Sequence, residues 1–116
     1  GYAYTADQAR NAAALRKVRA FQDAIKGTDL YPDCIAGIAW DPAMTVVDAL
    51  RAIGPNATSE QLRSWVVSQK SYVGIAGIYD FTNDMHGLTV DDMVVVRWDP
   101  AKQGWVKVSK FGGMPQ

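Results

Sequence analysis

The residues of this chain best placed to do chemistry lie between Ser71 and Gly87, in the stretch SYVGIAGIYDFTNDMHG. Its Gly-x-x-Gly spacing could gather backbone amides around a phosphate group, but such a loop leads directly into a helix. Here IYDF follows, which is typical of a strand, and no Lys-Ser/Thr pair is present. Glycines inside a strand mark a bulge or a close approach of the backbone. The pattern therefore predicts a structural role for Gly74 and Gly77.

The polar end of the same stretch offers carboxylates and the only histidine, His86, as metal ligands. A calcium loop requires oxygen ligands at alternating positions and a closing glutamate, and the residues after Asp80 provide neither. A zinc site requires several nitrogen or sulfur ligands, and the chain has one histidine and one cysteine, Cys34. We therefore expect a polar turn from Asp80 to Gly87, with no metal and no cofactor.

Covalent catalysis would have to pair Cys34 or a serine with His86. Nothing around Cys34 in the sequence indicates an activating environment, so we interpret it as a small, half-buried hydrophobic residue. We expect no enzyme activity.

The four tryptophans could form a platform for a sugar or an aromatic ligand. Trp65 lies on the apolar side of a predicted helix and is expected in the core, while Trp98 and Trp105 flank a turn and are expected to pack across it. Trp40 has no such explanation.

The composition is that of one small globular domain or subdomain covering residues 1–116, with 48% hydrophobic residues and zero formal net charge. The absence of excess positive charge argues against a nucleic-acid partner. No apolar run approaches the roughly 20 residues of a membrane span. The first residues, GYAYTADQ, lack the basic and apolar parts of a signal peptide, so any export signal is expected outside this chain.

Two helices carry clear start signals. Thr5-x-x-Gln8 and Thr58-x-x-Gln61 both match the capping box, in which two side chains satisfy free backbone amides. The first helix is predicted to stop at Gly27, and the other near Gln69 or Lys70. The predicted inward residues are Leu15, Val18, Phe21 and Ile25 in the first helix and Leu62, Trp65 and Val66 in the other.

Between these helices the sequence predicts another, capped by Asp33 and ended by Gly54-Pro55. Pro42 interrupts it, because an interior proline removes a backbone hydrogen bond. Two interpretations are open: one helix from Asp33 that kinks near residues 38–42, or a fresh helix capped by Asp41 with Pro42 at its first position. In both, the core stripe is predicted to be Val46, Val47, Leu50 and Ile53.

After the helices the hydrophobic period changes to two, which predicts extended chain at 73–81, 93–98 and 105–108. DPAKQG, residues 99–104, is predicted to be the turn between the last two strands. The expected order is three helices followed by an antiparallel hairpin or ribbon, an α+β arrangement.

This order resembles the closing third of the type I solute-binding proteins, the periplasmic components of ABC importers for branched-chain amino acids and related small organic acids. The resemblance rests on the segments IAWDPAMTVVDAL, TSEQLRSWVV, GIAGIYDF and DDMVVVRWDPAKQGWVKV. Pro42 departs from the family, which has an ordinary helix former there, and the two Rossmann-like halves of the α/β family fold are not in this chain.

The resemblance implies binding of a small solute, an amino acid or organic acid, between two lobes without catalysis. The ligand-binding position that it implies is Ile35, with Cys34 and Ala36 as neighbours and Trp40 as a weaker candidate. Free amides at the start of that helix would suit a carboxylate.

Hinge segments are implied at Tyr72 to Gly77, including Gly74, and at Val90 to Val94. The implied partners are a membrane permease and the remaining N-terminal part of the receptor, at a periplasmic or cell-surface location.

The alternative is a free-standing α+β domain that interacts or oligomerises and has no small-molecule ligand of its own. Without a partner sheet the chain is expected to expose an apolar face formed by Val46, Leu50, Val94 and Val96, which invites dimerisation or strand addition.

Overall fold

The computed structural model describes residues 10–116. Three helices come first: α1 (Ala12–Ile25), α2 (Cys34–Ile53) and α3 (Ser59–Val67). Two hairpins follow, formed by β1 (Tyr72–Val73) with β2 (Ile78–Tyr79) and by β3 (Val96–Asp99) with β4 (Gly104–Lys107). Short 3-10 helices lie at Val90–Asp92 and Phe111–Gly113. The predicted α+β arrangement is confirmed, with two separate antiparallel sheets of two strands each.

Helix α1 begins later than its predicted capping box. Asn11 has an extended backbone, and its side chain accepts a hydrogen bond from the Ala14 N–H, so Asn11 is the N-cap. The predicted box at Thr5-x-x-Gln8 lies outside the described residues. Gly27 takes φ +80° just after the helix ends, which confirms the predicted stop.

Helix α2 starts where the sequence predicts. The Asp33 carboxylate accepts hydrogen bonds from the backbone N–H groups of Ile35 at 2.9 Å and Ala36 at 3.2 Å. The helix then runs through Pro42 to Ile53. One helix therefore spans Pro42, and the interpretation of Asp41 as the cap of a second helix is wrong.

The predicted core stripe of α2 is also wrong for three of its four residues. Val46, Val47 and Ile53 are 46%, 36% and 41% exposed, and Leu50 is half-buried. The buried face lies elsewhere because the first hairpin brings polar donors against this helix, and the Asp41 carboxylate accepts their hydrogen bonds. That face consists of Gly37, Asp41, Thr45 and Ala49, spaced four residues apart.

Helix α3 has the predicted capping box, with Thr58 as the N-cap and Gln61 as its partner. It ends at Val67, two or three residues before the predicted end. The N–H groups of Ser68 and Gln69 donate to carbonyls three residues earlier instead of four, so the α-helical hydrogen-bond pattern ends there. The three predicted inward residues, Leu62, Trp65 and Val66, are half-buried.

The first hairpin pairs Tyr72 with Tyr79 and Val73 with Ile78. A four-residue loop joins the strands and is closed by the Gly74 N–H, which donates to the Gly77 carbonyl at 2.9 Å. Ile75, predicted in a strand, lies in this loop, where it is buried.

In the second hairpin Trp98 pairs with Trp105, and Asp99 pairs with Gly104 across the predicted DPAKQG turn. The two indole rings meet edge to face at 5.6 Å, which confirms the predicted packing across the hairpin. Strand β3 begins at Val96 rather than at the predicted residue 93.

The core is small. Val18 and Phe21 of α1 pack with Ile75, and Ile25, Ala36 and Trp40 pack against them. The radius of gyration is 15.5 Å, compared with about 13 Å for a typical domain of 100 residues. The molecule is therefore more extended than a typical domain, and many large apolar side chains remain exposed. Of the predicted exposed face, Val46 is exposed, whereas Leu50, Val94 and Val96 are half-buried.

Candidate functional site

The predicted ligand-binding residues lie in the first two turns of α2. Ile35 is 70% exposed and its side chain is free to meet a partner surface. Ala36 and Trp40 instead pack against the core, and the Trp40 ring meets Phe21 edge to face at 5.3 Å. Cys34 is the first residue of α2, and its side chain lies outside the described part of the structure. The structure thus leaves Ile35 as the accessible member of the described set.

The backbone amides at the start of α2 already have an anionic partner. Those of Ile35 and Ala36 both donate to the Asp33 carboxylate. A solute carboxylate at this helix end would compete with Asp33 for the two N–H groups. An apolar part of a solute faces no such competition at the Ile35 side chain.

Apolar side chains surround this helix end. Leu30 and Tyr31 of the preceding loop are each 61% exposed, and Ile38, one turn after Ile35, is 68% exposed. Ile35 and Ile38 are three residues apart and therefore share one side of the helix. We call these four residues the α2 entry surface.

The residues predicted as a hinge make specific contacts. Tyr72 is buried, and its hydroxyl donates to the Asp48 carboxylate at 3.0 Å. Burial, together with the neighbouring Asp48 charge, raises the pKa of Tyr72 to about 12. The Tyr72 hydroxyl therefore stays protonated over the physiological range and can donate to Asp48 throughout it.

Asp48 gathers three donors. Its carboxylate accepts hydrogen bonds from Lys17 of α1, Arg51 of α2 and Tyr72 of β1. Burial by itself would raise the pKa of Asp48, but the hydrogen bonds from Lys17 and Tyr72 outweigh it and hold the pKa below its usual value. Asp48 thus links three elements as a charged group.

Gly74 lies against the buried carboxylate of Asp41. The Asp41 side chain accepts hydrogen bonds from the Ile75 N–H at 2.9 Å, the Ala76 N–H at 3.0 Å and the Tyr79 hydroxyl at 2.8 Å. A Cβ atom at position 74 would lie closer than 3.0 Å to this carboxylate and to the Tyr79 ring. The close approach predicted for Gly74 is therefore made to a side chain of α2.

Gly77 also lies against a carboxylate, that of Asp92. The Asp92 carboxylate accepts hydrogen bonds from the N–H groups of Ile78 and Thr89, both at 3.1 Å, and pairs with Arg10. A Cβ atom at position 77 would lie 2.7 Å from both Asp92 and Leu88. The two glycines therefore leave room for two carboxylates, one from α2 and one from the 3-10 helix that opens the predicted Val90–Val94 hinge.

The acidic turn after the first hairpin is held by its own hydrogen bonds. The Asp80 carboxylate accepts from the N–H and hydroxyl of Thr82, and these bonds lower its pKa. Asn83 accepts from the N–H groups of Met85 and His86, and the His86 Nδ1 lies 2.8 Å from the Phe81 carbonyl. Within residues 10–116 no group of His, Cys, Asp and Glu is arranged to hold a metal ion.

An apolar groove of 280 Å³ runs between α2, the end of α3 and the first hairpin. The stacked rings of Tyr79 and Phe81, with centroids 5.5 Å apart, line the groove together with Val46 and Val66. Asp41 borders the groove, but its oxygens point to the hairpin donors. The groove is therefore an apolar surface with little polar chemistry.

Sequence reasoning missed Asp41 as the central polar residue. One of the two interpretations of this region used Asp41 as a helix cap before Pro42, and neither gave the Asp41 side chain a partner outside the helix. A signal was nonetheless present, since a helix interior rarely carries an acidic residue amid IAW and AMTVV without a specific donor opposite it.

Comparisons of this chain with protein-family profiles, with curated proteins and with solved structures give no match. Among the helices of residues 10–116, none combines the length and apolar character needed to cross a bilayer.

Proposed function

We propose that this chain takes part in binding a small solute, an amino acid or related organic acid, as the C-terminal portion of an ABC-importer substrate-binding protein. The step is non-covalent capture, with no catalysis. The observation that carries the proposal is the α2 entry surface, whose four apolar side chains are 61% to 70% exposed at the helix end that the family resemblance assigns to the ligand.

The α2 entry surface suits the hydrocarbon part of the solute and not its charged groups. Contiguous exposed apolar side chains mark binding or interaction sites in soluble proteins. Because Asp33 already accepts from the Ile35 and Ala36 amides, this surface is apolar apart from the Tyr31 hydroxyl. The solute would therefore present its hydrocarbon part to Ile35, and its charged ends would be bound by the earlier part of the receptor.

The other elements of the proposal come from the resemblance alone. The receptor would work in the periplasm or at the cell surface and pass its solute to a membrane permease. The rest of the two-lobed receptor would cover apolar surface that this chain exposes.

A second candidate function is an interaction or oligomerisation domain. It is favoured by the same exposed apolar side chains and by the small core. In that case the α2 entry surface would bind another protein surface, and light scattering would report a dimer whose formation is abolished by a charge at Ile35.

The test is thermal denaturation of the chain with a panel of amino acids and small aromatic or branched carboxylic acids. We expect at least one compound to raise the melting temperature of the wild type and of Val67→Lys, a control at an exposed apolar residue of α3. The same compound should leave Ile35→Lys unchanged. If no compound stabilises the chain and it is a dimer, the interaction domain is correct and solute binding is rejected.

A further inference from the structure

The loop of the first hairpin has the geometry of an anion site. Two successive backbone N–H groups, those of Ile75 and Ala76, point to one carboxylate, and the Tyr79 hydroxyl completes the set at 2.8 Å. Successive amides that converge in a turn form a concave site for anions. We infer that this loop is a carboxylate-binding nest whose resident anion is Asp41, and that Asp41 in this nest fixes the hairpin on α2.

Burial makes this contact strong. Asp41 is 3% exposed, so its carboxylate depends on protein donors in place of water. The three named donors are neutral, and two of them are backbone N–H groups. Because Gly74 has no Cβ atom, the Asp41 carboxylate can approach the loop this closely.

Apolar contacts accompany this polar contact. Ile75 of the loop is buried with Val18 and Phe21 of α1, and Ala36 and Trp40 of α2 pack against that cluster. Among the buried positions of α2, Asp41 is the one that accepts hydrogen bonds from the loop. The Asp41 contact is therefore the polar link that orients the loop on α2.

The test replaces the Asp41 carboxylate with a small carboxylate from solution. Asp41→Ala removes the carboxylate and leaves space the size of formate. We expect this variant to have a lower melting temperature and faster hydrogen exchange at the Ala76 amide. Sodium formate should reverse both effects saturably, whereas sodium chloride at equal ionic strength should not.

Asp48→Ala is the matched control. Asp48 is a partly exposed carboxylate on α2, whereas Asp41 is buried, and the donors of Asp48 are the side chains of Lys17, Arg51 and Tyr72, with no pair of backbone amides. Because chloride can also reach the two partly exposed cations of that site, formate should give neither Asp48→Ala nor the wild type any stabilisation beyond that of chloride. A folded Asp41→Ala variant that is indifferent to formate overturns the inference.

A second measurement applies if Asp41→Ala does not fold. In the wild type, the amides of Ile75 and Ala76 should resist exchange and show the downfield proton shifts of carboxylate-bonded amides. The Ile75 and Ala76 amides donate to different carboxylate oxygens, and the near-isosteric Asp41→Asn keeps only one acceptor oxygen, so at least one amide should exchange faster. Wild-type Ala76 exchange as fast as in an unstructured peptide overturns the inference.

Discussion

Two glycines in the first hairpin are explained by the carboxylates beside them. Asp41 lies against Gly74, and Asp92 lies against Gly77, at less than 3.0 Å from where a Cβ atom would stand. Neither glycine has a positive φ, so space and not backbone conformation is what each position requires. The Gly-x-x-Gly motif therefore does receive anions, but they are side chains of the same chain and not phosphate.

Gly74→Ala tests this at the residue scale. The added methyl group would displace the Asp41 carboxylate and leave the Ile75 and Ala76 amides without their partner, which we expect to cost about 3 kcal/mol of unfolding free energy. Urea denaturation measures the change. Gly87→Ala is the control, because its Cβ would meet only the Met85 carbonyl at 3.7 Å. Equal stability of Gly74→Ala and the wild type would contradict the close approach.

The raised pKa of Tyr72 predicts that the stability of the protein depends on pH. Its pKa rises from 10.0 to about 12 on folding, so the native state holds its proton more tightly than the unfolded chain. This stabilisation is complete below pH 10 and is lost as the pH rises toward 12, by an amount of about 2 kcal/mol. Tyr72→Phe lacks this component, so the stabilities of wild type and variant should converge between pH 10 and 12. Parallel pH profiles would show that Tyr72 is not buried against Asp48.

At the scale of elements, features decided by nearby residues could be predicted from the sequence, and features decided by distant residues could not. Asp33, Thr58 and the DPAKQG turn were identified correctly because each is decided by residues within a few positions. The buried face of α2 was predicted wrongly because it is decided by the amides of Ile75 and Ala76, 34 and 35 residues beyond Asp41. Hydrophobic periodicity alone could not reveal a helix face whose partner is polar.

Helix α3 offers a test of the local signals. In the capping box the Thr58 hydroxyl accepts from the Gln61 N–H at 3.3 Å, and the Gln61 side chain accepts from the Thr58 N–H at 2.8 Å. Thr58→Ala should therefore destabilise the protein by about 1 kcal/mol, measured by urea denaturation. Ser59→Ala, at the exposed first residue of the helix, should have no destabilising effect. If the two variants behave alike, the capping box does not stabilise α3.

At the scale of the whole molecule, polar links join elements in addition to the small apolar core. Asp48 connects α1, α2 and β1, Asp41 connects α2 to the first hairpin, and Asp92 connects that hairpin to Arg10. The molecule extends over 51 × 35 × 22 Å and leaves the α2 entry surface exposed. The proposed receptor portion requires such an exposed apolar surface on an ordered structure.

The central claim is that this surface binds the apolar part of a small solute. Its most direct test is an amide NMR titration of the chain with the compound that stabilises it most in thermal denaturation. We predict shift changes concentrated at residues 30–38, absent in Ile35→Lys and retained in Val67→Lys. Shift changes spread evenly over the chain, or none with any compound of the panel, would contradict solute binding at α2.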